Sequence, residues 1–131
     1  IFGSGRMVDG MFLNNQMTDF SFVPVDASGQ KVANAVAPGK RPRSSMTPLI
    51  LLDREGRFAG AFGSPGGSAI LAYVGKTMVG SILWNLPVQQ AIELPNLVAR
   101  GDSFSGEADK FAPGVLAGLK ERGITVRPGR G

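Results

Sequence analysis

The sequence predicts an α+β fold, because strand-like and helix-like apolar patterns occupy successive parts of the chain. Residues 47–53 (TPLILLD) and 57–62 (RFAGAF) are short apolar runs joined by Arg54-Glu55-Gly56, which is typical of a β-hairpin. After the glycine-rich residues 63–68 (GSPGGS), apolar side chains recur every four positions, which is typical of an amphipathic helix. A hairpin followed by helices therefore indicates an α+β domain.

The residues ahead of the hairpin carry weaker signals. Residues 8–13 (VDGMFL) form a short apolar run and predict a strand. Residues 14–21 (NNQMTDFS) are polar and predict a strand end or a loop. Residues 24–42 combine Gly, Pro, Ser, Asn and Ala without periodicity, which predicts a surface loop.

The residues after the glycine-rich segment predict three helices and a last strand. The first helix ends near Trp84, and the second lies between Pro87 and Pro95, because proline suits a first helical turn and stops a helix elsewhere. The third covers residues 109–122 with Gly123 as its C-cap, and residues 124–126 begin a strand. The apolar side chains predicted to face inward are Ile70, Val74, Met78, Ile82, Val115, Leu116 and Leu119.

The composition excludes several kinds of site. The 131 residues contain no Cys and no His, so this chain alone forms no disulfide, no Cys/His zinc site and no Ser-His-Asp or Cys-His catalytic group. No cofactor and no metal ion are expected. The net charge of +4 comes from local clusters without interleaved aromatic residues, so no nucleic-acid partner is expected either. No apolar run is long enough to span a membrane. The basic clusters are Lys40, Arg41 and Arg43, and Lys120, Arg122, Arg127 and Arg130.

The glycine-rich residues 63–68 are a candidate anion site. Glycine allows close backbone approach, and the unpaired N–H groups at a helix N-terminus attract a phosphate, a carboxylate or an oxyanion. The alternative is a tight strand-to-helix turn with Ser68 as the helix cap. The segment lacks the Gly-Lys-Ser/Thr ending of a nucleotide-binding P-loop.

Two further polar segments suit the two ends of an amino acid. Ser44 and Ser45 lie beside basic residues and could bind a carboxylate, although a solvated basic loop is the alternative. Gln16 and Asp19 could bind an ammonium group, Asp19 by its charge and Gln16 by its amide oxygen, although an Asx-rich turn is the alternative. Together with the glycine-rich segment they fit an amino-acid head group and a reacting carbonyl. An activated nucleophile and its base are missing.

These segments, in this order, resemble the small subunit of γ-glutamyltransferases (glutathione hydrolases). The resemblance runs over nearly the whole chain, and the KRPRSSMTP and GSPGGS motifs at this spacing are highly specific. The matching stretches are residues 2–5 (FGSG), 13–21 (LNNQMTDFS), 33–48 (ANAVAPGKRPRSSMTP), 63–68 (GSPGGS) and 86–95 (LPVQQAIELP).

The resemblance implies an N-terminal-nucleophile hydrolase with a four-layer αββα sandwich. In this family a precursor cleaves itself into a large and a small subunit, and the N-terminal Thr of the small subunit is the nucleophile, with its own amino group as base. It attacks the γ-glutamyl amide of glutathione or a related compound, and the acyl-enzyme passes to water or to an acceptor amino acid or peptide. By resemblance, Gln16 and Asp19 bind the α-amino group and Ser44 and Ser45 bind the α-carboxylate. Gly66 and Gly67 form the oxyanion hole.

The chain departs from the family pattern at its ends. It starts at Ile1 without a secretory signal, so we expect residues 1–131 to be a single partial domain, an internal fragment of the small subunit that lacks the nucleophilic Thr. We therefore expect no activity from the isolated chain, a large-subunit partner, and, from the resemblance, a periplasmic or secreted location. The alternatives are a cephalosporin (glutaryl) acylase-like relative and a non-catalytic module that binds a phosphate.

Overall fold

The computed structural model describes residues 4–129, which fall into two compact units, one up to Ser44 and one from Ser45 onward. Two parts of the sequence predictions lie outside the described residues: the first two positions of the stretch 2–5, and Arg130 of the C-terminal basic cluster.

The first unit begins with a small hairpin rather than one strand. Strands β1 (Met7–Val8) and β2 (Met11–Phe12) pair antiparallel across a turn at Asp9 and Gly10, whose φ angles are 50° and 79°. The single strand predicted over residues 8–13 is therefore wrong. Asp-Gly is a strong signal for a two-residue hairpin turn, because both positions tolerate positive φ.

The rest of the first unit is one 3₁₀ turn and a long loop. Gln16–Asp19 forms the 3₁₀ turn inside the segment predicted to be a strand end or loop. The predicted loop over residues 24–42 is confirmed, and it contains only an isolated bridge between Val25 and Lys31 among the described residues. Phe20 and Ala35 are buried and form the small core of this unit.

The second unit begins with the predicted hairpin, which is confirmed. Strands β3 (Leu49–Leu52) and β4 (Phe58–Phe62) pair antiparallel. The Asp53 carboxylate fixes the turn, because it accepts the Arg57 N–H at 2.9 Å and pairs with the Arg57 guanidinium at 2.7 Å. Within this chain Ile50 on β3 is 72% exposed. The apolar run is thus a strand with one face uncovered.

The first two predicted helices are also confirmed, although Ile82, predicted to face inward, is 50% exposed. Helix α1 (Ile70–Met78) continues as a π-helical turn over Val79–Leu83, and α2 (Val88–Glu93) follows Pro87. Gly80 allows close packing, since a Cβ there would lie 2.9 Å from the Cβ of the fully buried Ala91. Lys76 Nζ donates to the Ile92 and Leu94 carbonyls, both at 2.7 Å, and so joins α1 to the C-terminal end of α2.

The chain ends in a three-stranded sheet and a short helix. Strand β5 (Leu97–Arg100) pairs antiparallel with β6 (Ser103–Gly106), and β6 pairs parallel with β7 (Val126–Pro128). Strands β5 and β6 were not predicted. The predicted strand over residues 124–126 corresponds to β7, which begins two residues later.

The third helix is shorter than predicted. Helix α3 (Val115–Glu121) begins only after Pro113 and Gly114, whose φ of 86° is left-handed, so the prediction over residues 109–122 is wrong for its first half. Val115 is 41% exposed and not inward-facing. The C-cap of α3 is Arg122, and Gly123 lies one position beyond it, with a left-handed φ of 81° and its N–H donating to the Lys120 carbonyl at 2.9 Å. Glycine therefore ends the helix as predicted, one residue after the C-cap.

Candidate active site

The predicted ammonium site lies on the 3₁₀ turn of the first unit. The Asn14 side-chain oxygen accepts the Gln16 N–H at 3.0 Å, and the Thr18 hydroxyl donates to the Asn15 carbonyl at 2.7 Å. These bonds build the polar turn that the alternative interpretation expected. The same turn carries both predicted side chains, with Gln16 exposed and Asp19 half-buried. An amide oxygen and a carboxylate three residues apart in sequence are thus presented by one short turn.

The segment that contains Ser44, the first of the predicted carboxylate-binding serines, is joined to this turn through Asn34. The Asn34 side-chain N–H donates to the Asp19 carbonyl at 2.7 Å, and its side-chain oxygen accepts the Arg43 N–H at 3.0 Å. Ser44 follows Arg43 directly. The first unit therefore brings the Asp19 turn and the Ser44 segment together around one amide.

Ser45, the second of these serines, begins the second unit. Its carbonyl accepts the Thr47 hydroxyl at 3.0 Å, and its side chain is half-buried whereas that of Ser44 is exposed. The alternative interpretation, a solvated loop, therefore fits Ser44 but not Ser45. The Lys40 ammonium donates to the Ala33 carbonyl and to the Ala35 carbonyl, so this cation holds the loop in shape.

The glycine-rich segment forms a turn in which Gly66 leaves no room for a side chain. Gly66 has a φ of 139° and Gly67 a φ of 56°, and the Ala69 N–H donates to the Gly66 carbonyl at 3.1 Å. A Cβ on Gly66 would lie 2.6 Å from a ring carbon of Tyr73. Both glycines are exposed, and the short 3₁₀ helix Gly67–Ala69 leads directly into α1. This turn is the predicted oxyanion site.

Ser68 does not cap the helix, contrary to the alternative interpretation of this segment. No side-chain cap bond is formed at the start of the 3₁₀ helix or of α1. The Ser68 hydroxyl instead accepts a hydrogen bond from the Arg100 guanidinium at 2.6 Å. Arg100, at the end of β5, therefore places a positive charge beside the glycine-rich turn. No local sequence signal indicates this contact, because 32 residues separate the partners and β5 was not predicted.

A cavity of about 790 Å³ in the second unit borders the same turn. Its lining is mainly apolar and includes Gly66 and Tyr73, with Lys76 as its one cation among the described residues. Burial lowers the pKa of Lys76, the nearby Lys110 lowers it further, and the carboxylate of Glu107 opposes both. An apolar surface beside the turn strengthens hydrogen bonds made there, because water competes less well.

Three of the four threonine hydroxyls of the chain are engaged in local structure. Thr18, Thr47 and Thr77 each donate to a backbone carbonyl, at 2.7, 3.0 and 3.0 Å. None of these three is arranged as an activated nucleophile, which requires a neighbouring base. Among residues 4–129, moreover, no group of acidic side chains could hold a metal ion. No helix in that range has the length and hydropathy of a membrane span.

Comparison with known proteins identifies the family. The family model for gamma-glutamyltranspeptidase matches residues 1–131. The chain belongs to the gamma-glutamyltranspeptidase family. It is 36% identical over 125 residues to the glutathione hydrolase proenzyme of Bacillus subtilis, a match that covers 94% of this chain and 20% of that protein. For the glutathione hydrolase proenzyme of Escherichia coli, identity is 37% over 132 residues, covering 95% and 23%. The chain thus spans about a fifth of the length of these gamma-glutamyltranspeptidase relatives.

Solved structures of the family confirm the predicted fold class. A mutant of Helicobacter pylori gamma-glutamyltranspeptidase matches with a TM-score of 0.82 and 31% identity, over 98% of this chain and 73% of that one. Gamma-glutamyltranspeptidase from Pseudomonas nitroreducens, complexed with L-DON, matches with a TM-score of 0.74 and 33% identity, over 97% and 70%. The chain is therefore α+β and has the fold of this part of an N-terminal-nucleophile hydrolase. The Bacillus subtilis and Escherichia coli gamma-glutamyltranspeptidase relatives are described as proenzymes, which agrees with the predicted autoprocessing.

Proposed function

We propose that the protein carrying this chain transfers or hydrolyses the γ-glutamyl group of glutathione and related compounds through a Thr acyl-enzyme. The chain supplies the groups that bind the glutamyl moiety and its reacting carbonyl. The observation that carries the proposal is the joining of the Asp19 turn and the Ser44 segment by Asn34 in a chain of the gamma-glutamyltranspeptidase family.

Each group has a distinct role in this proposal. The Asp19 carboxylate and the Gln16 amide oxygen accept hydrogen bonds from the substrate ammonium, while Ser44 and Ser45 donate to its α-carboxylate. The N–H groups of Gly66 and Gly67 donate to the oxyanion that forms when a nucleophile adds to the γ-carbonyl. Collapse of that intermediate expels the amine and leaves the acyl-enzyme, which water or an acceptor amine then resolves.

The nucleophile and its base come from outside these 131 residues in this proposal. Three threonine hydroxyls of the chain donate to backbone carbonyls, and the chain contains no His and no Cys. The proposal includes a Thr at the N-terminus of a processed small subunit, with its own amino group as base, and a large subunit from the same precursor as partner. The proposal also includes export to the periplasm or the medium, which is inferred from the family resemblance. Fractionation of expressing cells tests this location.

The experiment compares two anilides with the full-length protein. γ-Glutamyl-p-nitroanilide carries both an α-amino group and a carboxylate, whereas glutaryl-p-nitroanilide lacks the amine. We expect turnover of the first and strong discrimination against the second. Asp19→Asn should lower kcat/KM for the γ-glutamyl substrate about 10- to 100-fold, because a charge-assisted hydrogen bond is lost.

Other outcomes identify other functions. Preference for the glutaryl substrate would favour the acylase-like alternative, since an acyl group without an α-amino group needs no partner for Asp19. Phosphate binding without turnover of either anilide would favour the non-catalytic module. A preparation of the isolated 131 residues is expected to be inactive, and hydrolysis by it would contradict the external nucleophile.

A further inference from the structure

We propose that Asn34 is a positioning residue, one that fixes the spacing between the ammonium-binding turn and the carboxylate-binding segment. This inference rests on the proposed function, because the spacing matters only if one ligand contacts both groups. Asn34 itself touches no substrate in this account. It acts through Asp19 on one side and through the Arg43–Ser44 backbone on the other.

Three hydrogen bonds place Asn34 between the two segments. Its side-chain N–H donates to the Asp19 carbonyl at 2.7 Å, and its side-chain oxygen accepts the Arg43 N–H at 3.0 Å. Its own carbonyl accepts the Ser21 N–H at 3.0 Å, so the main chain is fixed as well. One rigid amide group thus spans from residue 19 to residue 43.

Buried neighbours and the hydrogen bonds of Lys40 restrain the main chain around Asn34. The neighbouring Ala35 is only 4% exposed, and Phe20, next to Asp19, is 7% exposed. The Lys40 ammonium donates to the carbonyls on both sides of Asn34, those of Ala33 and Ala35. Asn34 is itself half-buried. Because water reaches such bonds less easily, a lost partner is replaced less well than on an open surface.

The geometry makes a specific demand on ligands. A ligand that touches only the Asp19 side, or only the Ser44 side, does not depend on the distance between them. A ligand that touches both gains from a fixed distance, because no conformational freedom is lost when it binds. Loss of Asn34 should therefore weaken two-point ligands and leave one-point ligands almost unchanged. A residue with a merely structural role would affect all ligands alike.

The test uses three competitive inhibitors of γ-glutamyl-p-nitroanilide turnover by the full-length protein. L-Glutamate carries both head groups, glutarate lacks the amine, and 4-aminobutyrate lacks the α-carboxylate. For Asn34→Ala we expect the inhibition constant of L-glutamate to rise about three- to thirtyfold, because part of the contribution of two lost hydrogen bonds is transmitted to the ligand. The constants of glutarate and 4-aminobutyrate should change less than about twofold. Asn34→Leu keeps the branched shape and the number of heavy atoms of the side chain, and it should show the same pattern if the alanine variant folds poorly.

Asp26→Ala is the matched control in the same unit. The Asp26 carboxylate accepts hydrogen bonds from Ser28 and Gln30 within its own loop and contacts neither segment of the site. Its loss should leave the ratios of the three constants unchanged. If both Asn34 variants leave the ratios of the three inhibition constants unchanged, whether or not the constants themselves rise, the role of Asn34 is overturned. Absence of γ-glutamyl turnover in the unmutated protein would instead overturn the proposed function itself, and the inference with it.

Discussion

Replacement of Gly66 by alanine tests whether the glycine-rich turn is set by backbone geometry. Two costs add. A non-glycine residue at the Gly66 φ of 139° is strained by about 1–3 kcal/mol. The new Cβ would also lie 2.6 Å and 3.0 Å from two ring carbons of Tyr73, and overpacking of this kind costs about 1–3 kcal/mol. We therefore expect Gly66→Ala to lower the free energy of unfolding by about 2–6 kcal/mol.

Gly67→Ala is the control, because the chain offers a second glycine in the same turn without the overlap. Its φ of 56° is left-handed, which costs about 1–2 kcal/mol, and a Cβ there meets nothing within 4 Å. In urea unfolding of the full-length protein, the Gly66→Ala variant should have a clearly lower free energy of unfolding than the Gly67→Ala variant. In a Tyr73→Ala background the cost of Gly66→Ala should shrink by about 1–3 kcal/mol, which is the overlap contribution. Equal stability of the two alanine variants, or no coupling to Tyr73, would refute the reasoning.

Two further predictions concern charged side chains of the second unit. Arg100→Met removes the donor to the Ser68 hydroxyl, and we expect kcat/KM for γ-glutamyl-p-nitroanilide to fall by up to about tenfold, with partial recovery in Arg100→Lys; an unchanged value would remove Arg100 from the site. The Lys110 ammonium and the Asn96 N–H hold the pKa of Glu107 below its usual value of 4.5. The stability that this carboxylate contributes is therefore present above pH 4.5 and is lost as the pH falls through the lower pKa of the folded state. Urea unfolding should show Glu107→Gln less stable than the unmutated protein at pH 7, with the difference narrowing as the solution is acidified below pH 4.5; a constant gap would contradict this assignment.

The parts of the fold that the sequence predicted are those whose signals are local. The β3–β4 hairpin and the helices α1 and α2 carry their apolar spacing and their turn or proline boundaries within a few residues of each other. Strands β5 and β6 have a weak apolar pattern, since they are short and include Arg100 and several small polar residues, although the Gly101-Asp102 turn between them is a local hairpin signal that was missed. Only the pairing of β6 with β7 is non-local, because β7 follows α3 in the chain. Pro113 and Gly114 are a local signal for a later start of α3, but the prediction followed the apolar periodicity instead.

The same distinction separates the site residues that were predicted from those that were missed. Asp19, Ser44 and Gly66 belong to short motifs, and the role of each could be predicted from a single stretch of sequence. Asn34 acts across 15 residues to Asp19 and across 9 residues to Arg43, and the first of these partners lies outside the stretch 33–48 that contains Asn34. An asparagine in a loop rich in Gly and Ala fits a turn equally well, so only coordinates reveal that its amide joins two segments. Residues that bind a ligand can therefore be predicted from motifs, whereas residues that fix the distance between motifs require the fold.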